Sequence, residues 1–320
     1  MASVTTEQND SAVIRLAAEE QREAESLWQI VLRRFLKHRM AVIGVVMLLL
    51  VILYVTAGSL FYSEEFANDT NPRLRFGAPT TENPFGTDSA GRDILARTIY
   101  GGQISLIIGI TSVIIAVTMG TLVGLVAGYY GGWIDSILMR FVEALLAIPT
   151  LVLLLVLSRT LLEQSGGQQV TILGRAFSMS VVVVIVIIGF TSWMGLSRIV
   201  RSVVLSLKEQ EFVAAARALG AGTPRILFSH ILPNCIAPII VAATLGIGTA
   251  IIVEAALSFL GFGVTPPDAS WGNIISAARL DVKNYWWLWT FPGALIVFTV
   301  LSINFIGDGL RDALDPRSLN

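Results

Sequence analysis

Between Thr98 and Ile134 the chain runs for 37 residues without one charged side chain. A soluble fold has no place for so long an apolar stretch, whereas a bilayer requires one. A hydrocarbon core about 30 Å thick takes about 20 apolar helical residues, and only helices or closed barrels satisfy their own backbone there. A second charge-free run, Met40 to Ser63, comes earlier in the chain. It begins too late and runs too long for the apolar part of a cleaved signal peptide. Composition agrees, with 54% hydrophobic and only 14% charged residues, against about 25% charged in soluble domains.

Reading on from these runs predicts an all-α integral membrane protein with six transmembrane helices. Residues 1–39 form an N-terminal tail. From about Val13 to Leu36 it can fold as an interfacial helix with Trp28, Val31, Leu32 and Phe35 on one face. Span one covers 40–63 and an outer loop covers 64–103. The remaining five spans lie within 104–310: two at about Ile104–Tyr129, three at Ile137–Leu157, four at Met179–Leu196, five at Pro238–Leu260 and six at Phe291–Leu310. Residues 197–234 make a loop between spans four and five, and 311–320 a C-terminal tail. Gly120, Gly124 and Gly128 form a ridge that lets another helix come close to span two. Arg140 and Glu143, three apart on span three, are placed to pair.

Six spans put both termini on one side. With the N-terminus inside, inner segments hold thirteen Lys and Arg and outer loops eight, so the charge bias places both termini in the cytoplasm. Tyr285, Trp286, Trp287 and Trp289 fall just before span six, where interfacial aromatics belong. A net charge of −1 offers no field for nucleic acid. His38 and His230 lie apart and read as interfacial, and Cys235 reads as a small packed residue, so no metal site emerges. Gly307-Asp308-Gly309 reads as a turn without an acidic partner in the membrane.

The 197–234 loop is long and basic, yet patterned. Glu211 to Gly220 reads as a short helix with Phe212, Ala216 and Leu219 on one face and Gly220 as its stop. Thr223 then caps a second helix, with Pro224 in its first turn, running to about Pro233. Two short helices about a glycine turn make a protrusion suited either to docking on a partner or to resting on the bilayer surface.

Ala215-Ala216, Gly220 and Leu232-Pro233 in this spacing resemble the cytoplasmic EAA loop of ABC-importer permeases of type I architecture, with Ala214 where the motif has glutamate. Asn83-Pro-Phe-Gly-Thr-Asp-Ser-Ala-Gly-Arg-Asp93 resembles a signature of the dipeptide, oligopeptide and nickel permeases. Gly307 to Pro316 is similar to the end of their C-type subunit. The resemblance implies a permease subunit of an ATP-driven importer of di- or oligopeptides, one that forms half of the translocation pathway and is not itself an enzyme. It implies a second permease, two ATP-binding subunits that carry ATP and Mg, and an extracytoplasmic substrate-binding protein. It assigns ATPase coupling to Glu211, Phe212, Ala215, Ala216, Arg217, Leu219, Gly220 and Pro233. Independently, none of the three lysines follows glycine, so the chain has no Walker lysine.

Glu254 stands in the outer half of span five, where ionisable groups face a bundle interior or a wet path. It is placed either for a substrate's amino terminus or for an arginine of the partner permease. The rival readings are an ion-coupled secondary transporter, which needs several buried ionisable groups, a scaffolding membrane subunit, and a nickel permease. The spans offer nickel no imidazole or thiolate.

Overall fold

The computed structural model describes residues 27–165, 168–172, 175–280 and 282–315. The first half of the expected interfacial helix lies outside this range. Its described part is α1, Leu27–Lys37, with Leu32 and Leu36 exposed. The rest follows as α2 Arg39–Phe61, α3 Glu64–Asn68, α4 Ile94–Tyr130, α5 Gly132–Leu146, α6 Thr150–Ser165 and α7 Met179–Leu207. After these come α8 Glu211–Ala218, α9 Leu232–Leu260, α10 Trp271–Ser276 and α11 Trp287–Leu314. Among the described residues five helices are long and apolar enough to cross a membrane, and six if the bent pair α5–α6 is one span.

Helix ends depart from the sequence reading where caps overrule hydropathy. The 37-residue α4 begins at Ile94, ten residues inside the expected outer loop. Asp93 caps it, its carboxylate accepting from Ala96 N at 2.7 Å. Span three is not straight. Pro149 disfavours helix in the residue before it, the helix stops at Leu146, and α6 leaves at 83°. Arg140 and Glu143 both point outward, and among the described residues no ion pair joins them. α7 runs through Leu207 rather than ending at Leu196. Gly307-Asp308-Gly309 is no turn but the interior of α11. A short antiparallel hairpin, Gln169–Ile172 with Arg175–Ser178, joins α6 to α7 and had no counterpart in the expectation.

Close backbone approach organises the bundle. A Cβ on Gly120 would lie 2.8 Å from Trp193 O, one on Gly124 2.6 Å from Ser197 O, and one on Gly128 2.8 Å from Val204 Cβ. The glycine ridge therefore locks α4 onto α7, as its spacing foretells. Gly109 meets Ile251 of α9, Gly307 meets Leu245, and Gly44 lets α2 touch Ser302 O of α11.

The two ends of the bundle differ. At one end α1, the α7–α9 connection and the end of α11 come together. Phe35 packs near Gly309, His38 Nε2 lies 3.4 Å from Asp312, and Asn234 shares a cavity with Leu314. Both described chain ends therefore share this end. The opposite end is a folded cap of residues 62–93 and 261–286. There Phe76 stacks on Tyr285 at 4.2 Å and Phe85 on Phe291 at 4.0 Å. Trp287, expected as an interfacial anchor, is instead buried and donates to Thr87 O at 3.2 Å. Trp286 and Trp289 stay about half exposed.

Gly124→Leu is expected to cost about 1–3 kcal/mol or more, since α7 backbone cannot yield to a side chain. The Tm of the detergent-solubilised protein reads this out. An unchanged Tm would show that the ridge does not carry the contact.

Candidate functional site

The connection from α7 to α9 carries seven of the eight residues singled out by the resemblance. α8 starts at Glu211, whose carboxylate suits the positive end of the helix. Gly220 stops it at φ +82°, a left-handed conformation that costs glycine nothing. Gly220 N donates to Arg217 O and Ala221 N to Ala216 O, both at 3.0 Å, the paired bonds of a Schellman stop.

The buried face of α8 differs from the expected one. Val213, at 0% exposure, and Ala216 turn inward, with Val213 packed into a cluster with Val200, Val204, Ile226, Leu227 and Ile231. Phe212 and Leu219, expected beside Ala216, turn outward at 40% and 88% exposure. Glu211, Ala215, Arg217 and Gly220 are exposed with them, as is Ala214. A helix packed on one side thus displays two large apolar side chains on the other. Val213 was missed, although its spacing to Ala216 is that of one helix face.

The expected second loop helix is not separate. Gly222, not Thr223, is the N-terminal cap, without a side-chain bond. A short turn, Thr223–Arg225, passes through a π-helical turn, Ile226–Ile231, straight into α9. Pro233 falls in the first turn of α9 and belongs to its base rather than to α8. Asn234 Nδ2 donates to His230 O at 2.7 Å across the turn. Cys235 is fully buried in the same cluster, as a small packed residue is.

At the opposite end the Asn83–Asp93 signature does structural work. Asp88, 3% exposed, accepts from Ala90 N at 2.8 Å, Arg92 N at 3.1 Å and Arg92 Nε at 2.7 Å, with buried Arg97 at 3.7 Å. Thr87 Oγ1 accepts from Gly77 N at 2.8 Å and donates to Leu74 O. Gly91, at φ +77°, has no room for a side chain, since a Cβ would overlap Asn71 O. Burial raises the Asp93 pKa, against the lowering effect of its helix-capping bonds. Asp268 is likewise raised by burial, although it accepts from Ser178 N at 2.7 Å. The signature's two aspartates, Asp88 and Asp93, thus face inward.

Glu254 is sealed, at 0% exposure. Ser105 of α4 donates to it at 3.0 Å and Ser258 at 2.7 Å. Those serines in turn hold the cap: Trp271 N donates to Ser105 Oγ at 3.3 Å, and Val264 N to Ser258 Oγ at 3.1 Å. Within this chain Glu254 ties α4, α9 and the cap together.

Residues 120–320 match the family described as "Binding-protein-dependent transport system inner membrane component". The chain belongs to that family. Residues 26–79 match the N-terminal TM domain of oligopeptide transport permease C. The chain is 43% identical over 287 residues to a protein of Brucella suis biovar 1, covering 89% of each. It is 41% identical over 299 residues, 93% of each chain, to the dipeptide transport system permease protein DppC of Alkalihalophilus pseudofirmus. It is 40% identical to the oligopeptide transport system permease protein OppC of Haemophilus influenzae over 303 residues, 93% of this chain and 91% of that one. This permease is therefore a multi-pass inner membrane subunit and not itself a catalyst.

Glu254→Ala is expected to destabilise the permease by about 1–3 kcal/mol by leaving buried serine hydroxyls unpaired. Glu254→Gln, which still accepts and donates, should lose less than half as much and keep transport. Loss of transport at wild-type Tm in Glu254→Gln would show a role in the pathway.

Proposed function

We propose that this permease is one of two membrane subunits of an ATP-driven importer of di- or oligopeptides, and that α8 is the element through which ATP hydrolysis drives it. The observation that carries the reading is the outward pair Phe212 and Leu219 on a helix backed by Val213 and Ala216. Exposed aromatic and aliphatic anchors on a rigid support are what a partner's groove takes. The relatives named for dipeptide and oligopeptide transport support peptides as cargo.

In this reading α8 and both termini face the cytoplasm, in keeping with the excess of Lys and Arg at that end. Two ATP-binding subunits, holding ATP and Mg, dock there. A second homologous permease completes the pathway, and a substrate-binding protein delivers cargo at the folded cap. Glu211, at the exposed start of α8, takes the place of the acidic residue absent at Ala214. Alternating access follows if closure of the ATPases displaces α8, since α8 packs both on α7 and on the π-helical turn that leads into α9.

Purification of the tagged chain from its native membrane is expected to bring down a second permease and proteins with Walker motifs. Replacing both Phe212 and Leu219 by Ala should lose the Walker-motif proteins at least tenfold, with the amount of inserted permease unchanged; two truncated anchors at about 1–2 kcal/mol each give that factor. Recovery of the chain as a transport-competent homo-oligomer would overturn the reading in favour of a secondary transporter.

A further inference from the structure

One ion pair lies beside the coupling end and outside every motif discussed so far. α5 is entered through two successive left-handed glycines, Gly131 at φ +64° and Gly132 at φ +54°. A Cβ on Gly132 would meet nothing within 4 Å, and one on Gly131 only Lys208 Nζ, at 3.5 Å. The joint is sterically open. Beyond it α5 rests on the bundle through Met139 and Val142, which pack with Trp193 and Met194. Much of its remaining apolar surface faces away, with Trp133 73% and Ile137 60% exposed.

Asp135, in the first turn of α5, is held by Arg201 of α7. Arg201 Nε donates to one carboxylate oxygen and Nη2 to the other, both at 2.5 Å. A bidentate fork of this kind fixes orientation as well as distance. Arg201 lies next to Val200 and three residues before Val204, both 0% exposed and both in the cluster that holds Val213 of α8. Packed contacts thus lead from α8 to α7, and the fork leads from α7 to α5 and on to α6 past the 83° bend.

We propose that Asp135 and Arg201 are a positioning pair that makes α5 and α6 follow α7 when α8 is displaced. This role rests on the importer reading. A helix hung from an open glycine joint swings unless latched, and partly exposed pairs add little to folding stability. The latch therefore acts on orientation, which a free-energy coupling between sites requires.

Two measurements test it. Spin labels at Ile137→Cys on α5 and Phe298→Cys on α11, with buried Cys235 left native, should give one narrow distance in the purified permease. The same pair should broaden in Asp135→Asn and narrow again in the swap Asp135→Arg with Arg201→Asp. In the complex recovered with its partners, Asp135→Asn should lower trialanine uptake per ATP hydrolysed by about fivefold or more, the lower end of measured couplings, and the swap should restore most of it. A narrow distance and wild-type uptake per ATP in Asp135→Asn would overturn the pair's role while leaving the importer reading intact. A wild-type complex with neither ATP hydrolysis nor uptake would overturn the importer reading, and the pair's role with it.

Discussion

The approach of α4 to α7 through Gly120, Gly124 and Gly128 sets the frame of this permease. Water gives no driving force between helices inside a bilayer, so association rests on van der Waals contact and on what few polar bonds the helices exchange. Where glycine removes the side chain, one backbone lies on the other and the crossing is fixed within a narrow range. That contact places Val200 and Val204 of α7 beside Val213, and Arg201 beside Asp135. It also leaves α7 long enough to carry its last turn beyond the apolar zone. α8 is therefore mounted on the closely packed pair α4 and α7.

The folded cap solves a different problem. Helix ends leave N–H groups unsatisfied, and near a membrane water is a scarce partner. Asp93 and Asp88 supply acceptors at the start of α4, and Ser105, Ser258 and Ser270 surround Glu254 where α4, α9 and the cap meet. Asp88, Asp93, Arg97 and Asp268 at this end are buried and bonded. The result is a tightly bonded lid on the bundle, against a more open opposite end.

The spans were legible because hydropathy over twenty residues is a bulk property. The glycine ridge was legible because its spacing repeats with the helix. What stayed hidden was set by single bonds and local backbone geometry. The carboxylate of Asp93 carries α4 ten residues outward through Arg97, whose buried charge is met by Asp88 and the Asn68 side-chain oxygen rather than by water. Pro149 was in plain view, but the size of its bend depends on what α5 and α6 pack against. In α8, Phe212 is the larger side chain and drew the inward face to itself. Val213 took it because the space between α7 and the π-helical turn admits a compact branched side chain. Glu254 was read by charge alone, and only the placement of Ser105 from another helix and Ser270 from the cap, beside its own neighbour Ser258, shows what holds it.

The packing of α8 on the turn that opens α9 decides how a push at α8 can travel. A flexible loop absorbs displacement, whereas a π-helical turn is still a hydrogen-bonded helix, one with a wider ring. Pro233 follows it directly and donates no backbone bond, and the Asn234 amide covers the His230 carbonyl within the same turn. The junction is thus weakened at a defined place without being broken. In the proposed importer a displacement of α8 reaches α9 through the packing of Val213 on this turn, while the Schellman stop at Gly220 keeps α8 itself intact. Gly131-Gly132 is an open joint at the start of α5, and the Asp135–Arg201 fork closes it.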